Sequence, residues 1–173
     1  MKTILGVDPG LSNTGWGVIE YYSDNGYEPK YNFVDCGVFK TNSHDGLGER
    51  LSFIYDSIFN LIKTVKPDEI SMERVFVNIN PASSEKLIMA RTAAFLAIEK
   101  TGHKCVEFTP NEVKKKVTGA GHGSKELVKK TVQKILNLNP AKSHYSKNAD
   151  ANDALAIALC SVLGTPKKVI KFL

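Results

Sequence analysis

Long apolar runs are missing from this chain. No stretch approaches the roughly 20 residues that a membrane-spanning helix needs, so no membrane association is expected. Only Lys2 precedes an apolar run that stops at Asp8, too short for the core of a signal peptide, and a cytoplasmic location is expected. Cysteine is scarce. Cys36, Cys105 and Cys160 are odd in number, far apart and without a zinc pattern, so they read as reduced thiols. Of the four histidines, His122 has no second His or Cys at ligand spacing, and His44, His103 and His144 carry no argument. Internal repeats, linkers and low-complexity segments are also missing. What is present is an ordinary globular composition: 173 residues, 42% hydrophobic and 24% charged. One domain spanning 1–173, large enough for a real core, is expected.

Charge is unevenly placed. Lys100 to Lys147 holds eleven lysines against Glu107, Glu112 and Glu126, a net of +8. The whole chain is only +5, so the remainder carries −3. The lysines gather at Lys114-Lys115-Lys116, around the loop Gly119-Ala120-Gly121-His122-Gly123-Ser124-Lys125, and at Lys129-Lys130. This loop lacks the Gly-Lys-Ser/Thr ending of a nucleotide P-loop. Glycines flanked by lysines still let backbone amides and ammonium groups approach phosphates. A solvated basic surface is the bland alternative. DNA phosphate is the more economical partner, with strongly salt-dependent binding.

Acids stand where apolar segments end. Ile4, Leu5 and Val7 form a short apolar run that Asp8 closes, just before the turn signal Pro9-Gly10. A carboxylate on a rigid strand tip is a poor core residue and a good metal ligand, although Asp can also simply hydrogen-bond its own turn. Ile70-Ser71-Met72-Glu73 repeats the arrangement. Near the end, Asp150 and Asp153 open an apolar helix three residues apart, which puts them on one face, one turn apart. Asp150 has a competing role at the helix start, where an acid favours the dipole and can cap the amides. Hard divalent cations take oxygen ligands, often one or two carboxylates completed by water and phosphate. Two such ions can clamp both the attacking and leaving oxygens of a phosphodiester.

Periodicity places these acids on a scaffold. Strands are expected over Lys2 to Asp8, Gly15 to Tyr22 and Tyr31 to Lys40, the last two joined by a hairpin at Asn25-Gly26. A helix over Leu47 to Val65 carries Leu51, Ile54, Tyr55, Ile58, Leu61 and Ile62 at helical period and ends at Pro67-Asp68. Glu69 to Met72 is a fourth strand. Asn80-Pro81 caps a helix to about Lys100, with Leu87, Ala90, Ala94 and Ile98 on one face. Lys104 to Phe108 is a short fifth strand. Helices follow from Thr109-Pro110 to near Gly119, from Ser124 to about Leu136, and from Asp150 to Leu163, with a loop over Asn139 to Asn148. Three meandering strands followed by alternating helices and strands predict an α/β protein with a mixed sheet. The tail Pro166 to Leu173, basic and apolar by turns, can pack, bind DNA or stay loose.

Three motifs occur in a fixed order: Gly6-Val7-Asp8-Pro9-Gly10 with Thr14-Gly15-Trp16-Gly17-Val18-Ile19, then Glu73-Arg74-Val75-Phe76, then Asp150 with Asp153-Ala154-Leu155-Ala156. In that order and at those separations the chain resembles the RuvC Holliday-junction resolvases, endonucleases of the ribonuclease-H-like superfamily. The resemblance runs from Ile4 to about Leu163. It implies a ribonuclease-H-like fold with a five-stranded mixed sheet flanked by helices. It implies that Asp8, Glu73, Asp150 and Asp153 form the catalytic site and hold two Mg²⁺ ions, with Mn²⁺ able to substitute. Symmetric nicking of four-way DNA by a homodimer, leaving 5′-phosphate and 3′-hydroxyl ends, is expected from it. It leaves a branch-migration motor open as a partner.

By the same resemblance Phe76 stacks on or wedges between bases at the junction, unless it is a core residue beside Val75 and Val77. Lys114 and Lys125 match lysines that contact DNA near the scissile phosphate. Lys115, Lys116 and Arg91 are further candidate DNA contacts, with solvation or a structural task as alternatives. Two rival functions remain at this point. One is a nuclease of the same fold acting on RNA–DNA hybrids or on flaps and three-way branches. The other is a junction-binding protein whose acids are structural.

Overall fold

Three strands open the chain: β1 (Lys2–Asp8), β2 (Asn13–Tyr22) and β3 (Lys30–Lys40). They are followed by α1 (Leu47–Val65), β4 (Glu69–Glu73), α2 (Pro81–Lys100), β5 (Cys105–Phe108), α3 (Pro110–Thr118), α4 (Lys125–Ile135) and α5 (Ala149–Val162). The computed structural model describes residues 1–23, 28–74, 81–119, 123–138 and 148–163, and side chains 81–83 fall outside that description. The expected Asn25-Gly26 hairpin, the Asn80 cap, the loop from Asn139 and the tail from Pro166 lie outside the described residues.

The five strands form one sheet in the order β3-β2-β1-β4-β5. β1 pairs with β2, and β2 with β3, antiparallel. β1 pairs with β4, and β4 with β5, parallel. The α/β architecture and mixed five-stranded sheet expected from the sequence are those observed. β1 is the central strand, and it runs directly into Asp8.

Alternation along the strands sorts side chains between two cores. Ile4 and Ile19 face a core completed by Val113, Val117, Val128, Val132 and α5. Leu5, Val7, Val18, Ile70 and Met72 face the opposite core, under α1 and α2. On α1 the buried stripe is Ile54, Ile58 and Ile62, at the expected period. On α2, Ala90, Ala94 and Ile98 are buried as expected, joined by Ala97, whereas Leu87 is 36% exposed and lies outward with Ile88 and Leu96. Small residues line the inner side of that helix, which packs closely against α1, and its larger apolar residues are left outside.

Caps set the helix ends. Lys66 takes the left-handed conformation (φ 50°) and its N–H donates to the Ile62 carbonyl at 2.8 Å, after which Pro67 prevents continuation. The Thr109 hydroxyl accepts the Glu112 N–H at 3.2 Å, and the Glu112 carboxylate accepts the Thr109 N–H at 2.7 Å, a reciprocal capping box. The Ser124 hydroxyl accepts the Leu127 N–H at 3.2 Å.

α5 lies across the sheet unusually closely. Ten of its residues are buried, because α3 and α4 cover its outer side, and an apolar helix is stable only when so enclosed. Its approach depends on glycine. A Cβ on Gly6 would stand 2.1 Å from the Ala154 carbonyl oxygen, and one on Gly15 would stand 2.1 Å from that of Asp150. Gly6 is directly opposite Gly17, and Gly15 opposite Asp8, so these residues form a bare track over β1 and β2. The Ser71 hydroxyl ties the helix down from β4 by donating to the Ile157 carbonyl at 3.1 Å.

Gly6→Ala therefore places a methyl group against helix backbone that can yield only if α5 lifts. The expected cost is about 2 kcal/mol or more, a fall of roughly 4–8 °C in melting temperature for a chain of this size. Thermal unfolding followed by circular dichroism checks it, with Gly48→Ala, where a Cβ meets nothing within 4 Å, as the benign control.

Candidate active site

Strand parity puts the first two acids on one face. Asp8 shares the α5 side of β1 with Ile4 and Gly6, and Glu73 shares the α5 side of β4 with Ser71. Both are the last residues of neighbouring parallel strands. The end of β4 is held by the Arg74 N–H, which donates to the Phe108 carbonyl at 2.7 Å. The other two acids come from α5, whose first turn rests on Gly15, the register partner of Asp8. Asn148 is the N-cap and makes no side-chain cap bond, and Asp150 follows in the first turn. All four carboxylates are half-buried.

Asp8, Glu73 and Asp153 line a cleft of about 280 Å³ with Lys114 and Lys125 on its rim and Val113, Val128 and Ile157 in its wall. Asp150 borders this cleft and acts on Asp8 and Asp153 through its charge. Burial pushes the Asp8 carboxyl up to about 8, and the charges of Glu73, Asp153 and Asp150 push the same way against Lys125. Glu73 is raised by burial and by Asp153, against Lys125 and Lys114. Asp153 is raised by burial and by Asp150, while Lys125 opposes the shift. The Lys125 ammonium lies 3.4 Å from an Asp153 carboxylate oxygen, and Asp153 is the main cause that raises its pKa.

This donor set suits a hard divalent cation. It offers only oxygens, and burial first and mutual repulsion second raise the pKa of Asp8, Glu73 and Asp153, a repulsion that a cation relieves. The acids fringe an open cleft rather than a cage: among the described residues, no three His, Cys, Asp or Glu side chains close around a metal position. A cation here would complete its shell with water and a phosphate oxygen, as Mg²⁺ does in phosphoryl-transfer sites.

The remaining sequence candidates fall into distinct places. Lys114 is half-buried on the cleft rim, and Lys115 is exposed on the same helix. Lys116 turns the other way. Its ammonium donates to the Cys160 carbonyl at 3.1 Å, near the C-terminal end of α5, and lies 4.8 Å from the Phe108 ring centroid. Arg91 forms an ion pair with Glu107 on β5 and lies 5.9 Å from the Phe95 ring centroid. Phe76 and His122 lie outside the described residues. Arg50 was not legible as a site residue. Its signal is a cation in the first turn of α1, where the helix dipole disfavours one.

A mixed sheet of this order, with carboxylates at the ends of two central strands and a helix bearing two more in its first turns laid across them, is the ribonuclease-H-like fold. The family described as "Crossover junction endodeoxyribonuclease RuvC" matches residues 4–161. The proteins of that name from Neorickettsia sennetsu and Ehrlichia canis are 44% and 37% identical to this chain, covering 89% and 91% of it and 89% and 94% of their own lengths. The fold matches T. thermophilus RuvC in complex with Holliday junction substrate at a TM-score of 0.83 and 26% identity, covering 94% of both chains. It also matches the yeast mitochondrial Holliday junction resolvase at a TM-score of 0.60 and 15% identity, covering 91% of this chain and 77% of that one, a likeness of fold alone. The chain belongs to the RuvC family of crossover junction endodeoxyribonucleases.

The acid cluster makes the metal-free protein pH-sensitive. Folded Asp8 keeps its proton to about pH 8, whereas an unfolded chain releases it near the ordinary value of 3.8. Between those values the folded state binds more protons, so this group's effect lowers stability as pH rises. In chelator at pH 8, Asp8→Asn is expected to be more stable than wild type by at least about 1 kcal/mol, or roughly 2–4 °C. The difference should vanish at about pH 4, which melting curves at the two pH values would check.

Proposed function

We propose that this chain resolves four-way DNA junctions by hydrolysing one phosphodiester in each of two equivalent strands. The observation that carries the proposal is the convergence of Asp8, Glu73 and Asp153, with Asp150 beside them, in a lysine-rimmed cleft on this fold. Asp8, Glu73, Asp150 and Asp153 would hold two Mg²⁺ ions, with Mn²⁺ able to substitute. When bound, the ions supply Lewis acidity that makes water a better nucleophile and stabilises the leaving 3′ oxygen. The carboxylates orient and stay unmodified; water would add to phosphorus as the P–O3′ bond breaks, and the ends left are 5′-phosphate and 3′-hydroxyl.

Lys114 and Lys125 would meet the scissile region, where an ammonium offsets charge that develops on phosphate. Lys115 would extend the basic track along the backbone. Lys116 and Arg91 are better supported as structural cations than as DNA contacts, because each is engaged within the fold. Phe76, if it enters the junction, would act by stacking. Lys114→Ala is expected to weaken junction binding and to shrink the log–log salt dependence by about 1, as loss of one phosphate contact does. Lys116→Ala should leave that slope unchanged. Fluorescence anisotropy over a salt series in chelator measures both.

Two equivalent strands call for two active sites related by a twofold axis, and a homodimer supplies them. The face of α1 and α2 away from the sheet supports this. A groove of about 510 Å³ between Leu51, Tyr55, Ile88, Met89 and Leu96 is open there, and Leu96 is 55% exposed. Exposed apolar patches of this kind mark protein interfaces. Leu96→Glu is expected to shift the protein from dimer to monomer in light scattering and to uncouple the two nicks. A wild type that runs as a monomer at all concentrations would contradict the homodimer. A branch-migration motor remains a proposed partner.

Cleavage of end-labelled DNA by the purified protein in Mg²⁺ tests the whole reading. A mobile four-way junction is compared with a three-way branch, a flap, a duplex and an RNA–DNA hybrid. Paired symmetric nicks confined to the four-way junction are expected, falling at least about 100-fold in Asp8→Asn. Equal cutting of every branched form would discard strict junction specificity, and preference for the hybrid would overturn the substrate.

A further inference from the structure

Arg50 stands in the first turn of α1, where the helix dipole favours acids over cations. Among the described residues no carboxylate lies within ion-pair distance of it. Its donors are instead directed at neutral oxygens of the segment that follows Asp8. Nε donates to the Thr41 hydroxyl at 2.9 Å. One terminal nitrogen donates to the Leu11 carbonyl at 3.3 Å and to the Ser12 hydroxyl at 3.2 Å. Thr41 works with it: its hydroxyl donates to the Leu11 carbonyl at 2.5 Å, and its N–H to the Ser12 carbonyl at 3.1 Å. From inside, the buried Thr14 hydroxyl donates to the Gly10 carbonyl at 3.0 Å.

The turn is thus gripped on both sides, and its first anchor is the Asp8 backbone. The grip has a physical reason. Asp8 is the last residue of β1 and lines the cleft, and the turn that starts at Pro9 directly continues its backbone, so the place of that turn sets the place of the carboxylate. A planar guanidinium with two directed donors suits this task better than an ammonium.

We propose that Arg50 is a positioning residue for Asp8, which locks the turn from Pro9 to Ser12 onto the start of α1 so that the carboxylate keeps its place in the cleft. The inference rests on the assignment of Asp8 to the catalytic site. Its test uses the full chain with Arg50→Gln, Arg50→Lys and Thr41→Val, and with Asp8→Asn alongside. Single-turnover cleavage of a four-way junction at saturating protein is compared with junction affinity and its salt dependence in chelator.

Arg50→Gln and Thr41→Val are each expected to slow cleavage by about 10- to 100-fold, the cost of a displaced catalytic group. The Mg²⁺ concentration for half-maximal rate should rise, while junction affinity and salt slope stay as in wild type. The double variant should lose less than the product of the two effects, since both residues serve one network. Arg50→Lys keeps the charge but not the fork, and should resemble Arg50→Gln. A loss of affinity with a salt slope smaller by about 0.9, or full activity in Arg50→Lys, would overturn the proposal and make Arg50 a phosphate contact. Unchanged rates in Arg50→Gln and Thr41→Val with Asp8→Asn inactive would overturn the positioning role alone. Normal cleavage by Asp8→Asn would overturn the site assignment and this inference together.

Discussion

The close seating of α5 on β1 and β2 is the constraint on which the rest depends. A helix normally rides on a sheet at a distance set by side chains on both surfaces. Here Gly6, Gly15 and Gly17 remove the sheet's side chains under the helix, and Ala154 and Ala158 keep the helix side small. The gain is positional as much as energetic. Only at this separation does the first turn of α5 reach the end of β1, where Asp150 and Asp153 meet Asp8. The same approach buries α5 nearly all round, which is why α3 and α4 must cover it and why a mostly apolar helix occurs at this place in the chain.

The site built there is electrostatically uncomfortable by construction. Four carboxylates are half-buried within reach of one another's charge, and burial raises the pKa of three of them. Fixed backbone keeps them together: strand ends for Asp8 and Glu73, the glycine-seated helix for the other two. The surrounding cations divide into two kinds. Lys114 and Lys125 face the acids and remain open to a phosphate, whereas Lys116 and Arg91 are engaged in holding α5 and β5. A basic sequence region therefore does not translate into a uniformly available basic surface. Which lysine faces the cleft depends on helix rotation, since Lys114 and Lys116 lie on different sides of α3.

The two faces of the sheet carry different work. One holds the acids and the basic helices. The other, under α1 and α2, is a packed aliphatic core with an apolar groove on its outer side. Arg50 joins the two, because it stands on α1 and reaches the turn that follows Asp8. No helix among the described residues is long and apolar enough to cross a membrane.

Much of this was determined by the sequence alone. Apolar period and turn residues marked the ten elements found among the described residues, because strand alternation, helix stripes and caps such as Thr109 with Glu112 are local physics. The acids at Asp8 and Glu73 were legible because each interrupts an apolar strand at its end, and Asp150 and Asp153 because their offset puts them on one helix face. Tertiary structure alone decided the rest. Gly6 and Gly17 read locally as weak strand residues, and their purpose appears only when α5 arrives from some 140 positions later in the chain. Leu87 fits a buried stripe by spacing, yet α2 packs its alanines against α1 and the core and leaves Leu87 outside. Arg50 stands out in the sequence only as a cation near a helix start, Lys116 not at all, and their partners at Leu11, Ser12 and Cys160 are distant in sequence. Local spacing reports which way a side chain points along its own element, but the group it meets depends on how the elements pack, and that packing is a property of the whole chain.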